Sequence, residues 1–84
     1  MKVVFKLFAT LQDYLPAEAR RTSTVHIEVD EGTRVADLIR RYEIPEALCH
    51  LVLVDGVYLH PRQWVSRILR EGETLAIWPP VAGG

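Results

Sequence analysis

The sequence predicts an α+β fold, in which a mixed sheet of four to five strands carries one main helix across one face. Three observations predict it: apolar residues alternate near the N-terminus, one central segment has apolar residues at helical spacing, and short apolar runs bounded by turn residues follow that segment. The length of 84 residues suits one domain with a single continuous core.

Two segments near the N-terminus have the alternation of half-buried strands. In the first, Lys2 to Phe8, the inward set is Val3, Phe5 and Leu7 and the outward set is Lys2, Val4 and Lys6. In the second, Val25, Ile27 and Val29 point inward, opposite His26 and Glu28. The two segments are predicted to pair.

The connection between these strands is about fifteen residues, which is long for a hairpin. Leu11, Tyr14 and Leu15 precede Pro16 within it. These apolar residues predict a helical turn that packs against the edge of the sheet and ends at the proline.

The main helix is predicted to begin at Gly32-Thr33. The Thr33 hydroxyl can accept a backbone N–H as the N-cap, and Asp37 lies near the positive end of the helix. Pro45 should end it, because the residue before a proline is pushed out of the helical region. The apolar stripe consists of Val35, Leu38, Ile39 and Tyr42, with Arg34, Arg40 and Arg41 on or near the opposite side.

Strand-length segments follow the helix. Leu51–Val54 is a near-continuous apolar run closed by the turn residues Asp55-Gly56, after which Val57–Leu59 can return as a short strand. Glu71-Gly72 marks another turn, and Thr74–Trp78 is the last predicted strand.

A helix with a single apolar stripe needs a sheet to cover that stripe. The right-handed crossover rule then makes the third strand parallel to one of the first two. The order strand, strand, helix, strand, short strand, strand is the β-grasp (ubiquitin-like) pattern. It predicts a β-grasp domain at residues 1–78 and an extended C-terminal tail at residues 79–84 that ends in Gly-Gly.

The composition, 49% apolar and 25% charged, is that of an ordinary globular protein. A net charge of −1 gives no basic stripe for nucleic acid, and no segment has the length of a membrane span. We therefore expect no nucleic-acid or membrane partner. The single cysteine, Cys49, agrees with a reducing compartment, and a cytoplasmic location is expected.

We find no pattern that predicts an enzyme or a metal site. His26, His50 and His60 are scattered, and there is no second cysteine for a zinc site. Cys49 is interpreted as a small buried apolar residue, with a sulfur relay as the alternative. An independent enzyme is therefore not expected.

The C-terminal tail is the remaining candidate site. Gly83 and Gly84 lack Cβ atoms, so they can enter a narrow channel, and Pro79 and Pro80 favour an extended spacer before them. The terminal carboxylate has a reference pKa of about 3.5 and is a poor acyl electrophile until it is activated. Adenylation followed by attack of a sulfur nucleophile would leave a thiocarboxylate at Gly84. By themselves the two glycines also fit a frayed terminus.

The ending Ile77-Trp78-Pro79-Pro80-Val81-Ala82-Gly83-Gly84 resembles that of the MoaD/ThiS-like sulfur carriers, and most of all MoaD, the small subunit of molybdopterin synthase. The likeness extends to Leu69–Leu75 and to Phe8–Leu15, and with the element order it covers essentially the whole chain. Gln12 stands where such proteins often carry arginine, and Val54–Ser66 departs from the family pattern.

The resemblance implies a carrier with no bound cofactor that works with three partners. An E1-like enzyme would adenylate Gly84 with ATP, and a persulfide donor would supply sulfur. The large subunit of molybdopterin synthase would then receive the tail. The residues threaded toward its active site would be Pro79, Pro80, Val81, Ala82 and Gly83. The sulfur would be used to build the dithiolene of the molybdenum or tungsten cofactor.

Strand parity predicts a docking surface for these partners. If Leu75 and Ile77 face the helix, then Ala76 and Trp78 face the other side of the sheet, together with Val4 and Phe8. Phe8 could instead close the core. Trp64 is interpreted as covering the rim of the core.

Other functions fit the same ending. Gly84 could form an isopeptide bond with a target lysine, as in ubiquitin-like modifiers. The sulfur could serve thiamine's thiazole or another thiolation pathway. A plain binding module, which would tolerate removal of the tail, is the third class.

Overall fold

The computed structural model describes residues 1–80 of the chain. Its strands are β1 (Lys2–Leu7), β2 (Thr24–Glu28), β3 (Leu51–Val54), β4 (Val57–Tyr58) and β5 (Thr74–Trp78). Its α-helices are α1 (Val35–Arg41) and α2 (Pro61–Trp64), and 3-10 helices span Ala9–Tyr14, Ala17–Ala19 and Glu46–Leu48. The predicted order of strands and main helix is confirmed, and α2 is an addition that the sequence reading did not contain.

The five strands form one mixed sheet in the order β2-β1-β5-β3-β4. The pair β1–β5 is parallel, and the pairs β1–β2, β5–β3 and β3–β4 are antiparallel. β3 therefore runs in the same direction as β2, as the crossover rule predicts, although two strands separate them. The parallel pair joins the first and last strands, so the two ends of the fold meet in the middle of the sheet.

The core lies between α1 and one face of the sheet. Phe5, Leu75 and Ile77 are fully buried in the central strands. The α1 stripe of Val35, Leu38 and Ile39 is buried as predicted. The Phe5 and Tyr42 rings meet at a centroid distance of 4.8 Å and close one end of this contact. Within residues 1–80, α1 packs against this one face of the sheet.

The helix start differs from the prediction. Arg34, not Thr33, is the N-cap, and the Thr33 hydroxyl donates a hydrogen bond to the carbonyl of Asp30 at 2.7 Å. The Asp37 carboxylate instead accepts the backbone N–H of Arg34 at 2.8 Å. The carboxylate lies in the first turn, so it also favours the positive end of the helix dipole. Thr33 belongs to the preceding turn.

The helix also ends before the predicted stop at Pro45. The last helical residue is Arg41, and Glu43 has a left-handed backbone with φ of 56°. The N–H of Ile44 then donates to the carbonyl of Ile39 at 3.0 Å, which satisfies an acceptor at the helix terminus. Proline thus follows a helix that has already been terminated.

The connection between β1 and β2 contains the predicted helical turn as a 3-10 helix, Ala9–Tyr14, with Leu11 and Leu15 buried. Gln12 donates a hydrogen bond from its side-chain amide to the hydroxyl of Ser23. Ser23 is buried and left-handed, with φ of 58°. Gln12 therefore holds the far end of the connection in place.

The segment from residue 54 to 66 contains a tight hairpin and α2. Asp55 and Gly56 have φ of 48° and 80°, as a two-residue turn of type I′ requires. His60 is the N-cap of α2: its Nδ1 accepts the N–H of Arg62 at 3.2 Å, and the side chain of Gln63 accepts the N–H of His60 at 2.8 Å. Trp64 is buried at the end of this helix, which agrees with its predicted place at the rim of the core.

Candidate functional site

The predicted reactive residues lie at the C-terminus. Val81, Ala82, Gly83 and Gly84 fall outside the described residues, so their roles stay predictions. The structure describes the root of the tail at Trp78, Pro79 and Pro80 and the surface around it. These features determine the surface that a partner would contact when it binds the tail.

The root is anchored on both sides of β5. The N–H of Phe8 donates to the carbonyl of Ile77 at 3.1 Å, and the N–H of His50 donates to the carbonyl of Trp78 at 2.9 Å. Pro79 has no N–H, so the ladder cannot continue through it. Pro79 is still buried, whereas Pro80 is exposed. The chain thus leaves the body of the protein at Pro80.

Phe8 and Trp78 form an aromatic pair at this root. Their rings stack with a centroid distance of 4.4 Å and an angle of 12° between planes. Both side chains are half-exposed, so Phe8 does not close the core. Trp78 is the last residue of β5, and Phe8 directly follows β1, the parallel neighbour of β5. The stack therefore lies directly before Pro79.

The stack is part of an open apolar face on the side of the sheet opposite α1. Ala76 lies on that face, between Lys6 and Leu53 in the strand register. Ala76 is only 8% exposed and serves as the floor of the face, with larger side chains around it. We call the following set the apolar patch: Phe8, Leu51, Leu53, Tyr58, Ala76 and Trp78.

Leu51, Leu53 and Tyr58 were missed in the sequence reading. Leu51 pairs with Trp78, and Leu53 pairs with both Ala76 and Tyr58, which places them on the open face. The informative feature was the unbroken run Leu51–Val54, because an antiparallel strand with one solvated face normally alternates apolar and polar residues. Apolar residues at every position indicate that both faces of β3 are adapted to contact.

Val4, the fourth residue of the predicted docking surface, lies apart from the stack. It is on the open face, but its strand neighbours are His26 and Thr74. Phe8 is four positions further along the chain than Val4, a distance of about 13 Å. The structure therefore brings Phe8, Ala76 and Trp78 together and leaves Val4 at the polar side of the face.

Comparison with known proteins identifies the family of this chain. A family model described as the ThiS family matches residues 5–84. The chain belongs to the ThiS family. No curated protein sequence matches it significantly.

Solved structures share the ThiS-family chain's fold. SAMP1 of Haloferax volcanii is 26% identical, with a TM-score of 0.68 and full coverage of both chains. A Pyrococcus furiosus structure named for molybdopterin converting factor subunit 1 is 26% identical over 95% of this chain and 98% of its own, with a TM-score of 0.63. Subunits 1 and 2 of that factor from Helicobacter pylori form a complex whose matching chain is 16% identical, covers 100% of both chains and has a TM-score of 0.59. The protein thus has the β-grasp fold of small sulfur carriers and ubiquitin-like modifiers.

Cys49 is poorly suited to a sulfur relay in this ThiS-family chain. Its side chain is buried, and its thiol lies 3.7 Å from the carbonyl of Pro45. Burial, with a smaller contribution from the charge of Glu46, raises the pKa of the thiol to about 11. At neutral pH the group is a protonated thiol, which is a weak nucleophile.

Other features of the described residues lie away from the open face. A groove between α1 and α2 is lined in part by Ile39, Trp64 and Val65 on the opposite side of the sheet. Within residues 1–80 there is no group of three or more side chains that could hold a metal ion. None of the helices described for residues 1–80 is long and apolar enough to cross a membrane.

Proposed function

We propose that the protein is a sulfur carrier whose Gly84 carboxylate is adenylated by an E1-like enzyme and converted to a thiocarboxylate. The thiocarboxylate then donates sulfur in molybdopterin biosynthesis, with the protein as the small subunit of molybdopterin synthase. One observation carries the proposal: the stacked pair of Phe8 and Trp78 on an open apolar face lies directly before the tail Pro79–Gly84. A docking surface is continuous with the reactive end.

Conversion of the Gly84 carboxylate to a thiocarboxylate requires ATP, a persulfide and a thiol. An oxygen of the Gly84 carboxylate attacks the α-phosphorus of ATP, and pyrophosphate leaves. The terminal sulfur of a persulfide then attacks the acyl carbon, and AMP leaves. A thiol next attacks the resulting S–S bond, so that a disulfide forms and the thiocarboxylate is released. Each side chain that catalyses these steps belongs to a partner, and this chain supplies the acyl group and its position.

The anchored root of the tail limits where the Gly84 carboxylate can lie relative to the apolar patch. Backbone hydrogen bonds from Phe8 and His50 fix the last two residues of β5. Beyond them, six residues can span at most about 20 Å when fully extended. A partner that binds the apolar patch therefore captures the carboxylate within a short radius. Tethering of this kind can contribute several kcal/mol to a transfer reaction.

The choice of recipient rests on the comparisons. The Pyrococcus furiosus and Helicobacter pylori proteins are named for molybdopterin converting factor, and the second forms a complex with subunit 2. By analogy we propose that a large subunit binds the apolar patch of this protein. Thiamine's thiazole and other thiolation pathways are alternative recipients of the same thiocarboxylate.

A second candidate function is protein modification through Gly84. It is favoured by the likeness to Haloferax volcanii SAMP1, for which a second structure is named small archaeal modifier protein 1. A modifier would give higher-mass adducts in cell extracts that disappear when Gly84 is deleted. A carrier alone would give none.

Reconstitution with the large subunit tests the proposed recipient. The thiocarboxylated protein, mixed with the large subunit and the pterin precursor, should convert precursor to molybdopterin in proportion to the carrier added. The matched control is the same protein with an unmodified carboxylate, which should give no product. Absence of product from the thiocarboxylated form, with a large subunit that is active on another carrier, would contradict the proposed recipient.

A further inference from the structure

Lys6 is a cation at the border of the apolar patch. Its strand neighbours are Ala76 in β5 and Thr24 in β2, so it lies between the patch and the polar side of the open face. The side chain is half-buried. Within residues 1–80 the ion pairs are Met1–Glu28 and Arg67–Glu73, and Lys6 takes part in neither.

Lys2 makes the contrast clear. It lies on the same strand and the same face, about 13 Å further from the stack. Glu28 pairs with Lys2 in the neighbouring strand. The backbone N–H of Lys2 donates a hydrogen bond to the carboxylate of Glu71 at 3.1 Å. Glu28 and Glu71 thus lie beside Lys2, at the end of the sheet away from the tail, whereas Thr24 and Ala76, the strand neighbours of Lys6, are neutral.

Docking on the apolar patch would remove water from one side of Lys6. Loss of hydration is costly for an ammonium group unless an anion replaces the water. The patch has Lys6 on its β1 side, whereas the neutral Tyr58 bounds it on the β4 side. The charge of Lys6 therefore distinguishes the two sides of the patch, and a partner with a matching anion can recognise one rotation of the face.

We propose that the E1-like adenylating enzyme presents a carboxylate to Lys6 when it binds the open face, and that this pair fixes the rotation of the carrier on the enzyme. The inference rests on the proposed function, and it concerns the E1-like enzyme because both the carrier and the modifier functions require adenylation. Lys6 acts as a positioning residue during docking: the pair selects the rotation in which the carrier binds, and the hydrophobic contacts hold the bound carrier in that rotation.

Adenylation kinetics with the E1-like enzyme of the source genome test this inference. Pyrophosphate release is measured against carrier concentration at several salt concentrations. Lys6→Met should raise KM for the carrier about tenfold at low salt and reduce the salt dependence of kcat/KM, with kcat changed less than about twofold, because a charge at the rim of an interface acts mainly on encounter and orientation. Lys6→Glu should raise KM by on the order of a hundredfold, since like charges then meet. Lys2→Met, the matched control, should behave as the wild type.

The outcomes separate the inference from the function on which it rests. Equal KM and equal salt dependence for Lys6→Met and Lys2→Met, with Trp78→Ala impaired, would overturn the role of Lys6 and leave the docking face intact. An unimpaired Trp78→Ala would overturn the docking face itself. No adenylation of the wild type by an enzyme active on another carrier would overturn the proposed function and this inference together. Equal melting temperatures of the lysine variants exclude unfolding as the cause.

Discussion

The rings of Phe8, which follows β1, and Trp78, the last residue of β5, stack with a centroid distance of 4.4 Å. These strands are parallel neighbours although one begins the fold and the other ends it. The contact therefore couples the first strand to the root of the tail and exposes an aromatic surface where the tail leaves the domain.

Replacing Trp78 by alanine should impair partner binding far more than folding. The half-exposed indole is the largest side chain of the apolar patch, and aromatic anchors of this kind often account for at least about 2 kcal/mol of binding. We expect KM for the carrier in adenylation to rise at least tenfold, with a loss of about 1 to 2 kcal/mol in the free energy of unfolding. Trp78→Phe should retain most of the activity.

Val65→Ala is the control for exposed apolar surface. Val65 is 66% exposed but lies beside α2, away from the open face. Its substitution should leave KM unchanged. Equal effects of Trp78→Ala and Val65→Ala on KM would contradict a docking role for the apolar patch.

The ion pair of Arg67 and Glu73 should make stability depend on pH. The two groups meet at 2.6 Å, and the backbone N–H of Arg70 also donates to the Glu73 carboxylate. Burial alone would raise the pKa of Glu73, but the hydrogen bonds and charges of Arg67 and Arg70 lower it below its usual value. A lowered folded pKa stabilises the protein above the unfolded value of about 4.3, and this contribution is lost as the pH falls through the folded pKa.

Glu73→Gln measures this contribution by denaturant unfolding between neutral and acidic pH. The variant should be less stable than the wild type by about 1 to 2 kcal/mol at pH 7, and the difference should shrink below a pH of about 4. Glu18→Gln, at an exposed position, should unfold as the wild type does. A difference for Glu73→Gln that stayed constant down to a pH of about 3 would rule out the assigned cause.

Cys49 should be inert in the native protein. With a pKa of about 11, its thiolate is scarce at pH 8, and burial hinders access. Reaction with a disulfide reagent should be on the order of a hundredfold slower than in the urea-unfolded chain. Cys49→Ala should still receive sulfur at the C-terminus. A folded Cys49→Ala variant that could not be thiocarboxylated would instead establish a sulfur relay.

Local patterns predicted much of the fold. Alternation in β1 placed Phe5 in the core, and the turn residues Asp55-Gly56 located the hairpin between β3 and β4. The N-cap was wrong because Thr33 bonds back to Asp30, a choice between two local acceptors that the residue type does not decide. Helix α2 was missed because its N-cap is an imidazole, a residue type rarely used there.

The candidate site was predicted only in part. Strand parity placed Ala76, Trp78 and Phe8 on one face, but stacking of Phe8 on Trp78 depends on β1 and β5 being neighbours, which is a long-range pairing. Leu53 joined the patch through its register with Ala76. The neutral strand neighbours of Lys6 likewise depend on which strands lie beside β1.

Intact-mass spectrometry after incubation with the E1-like enzyme, ATP and a persulfide donor tests the central claim most directly. The wild type should gain the mass difference between sulfur and oxygen, located on Gly84 by fragmentation. The variant lacking Gly84 should keep the same melting temperature and gain nothing. An unchanged wild-type mass with a competent enzyme, or the same gain in the truncated variant, would contradict the assignment of Gly84 as the sulfur-carrying residue.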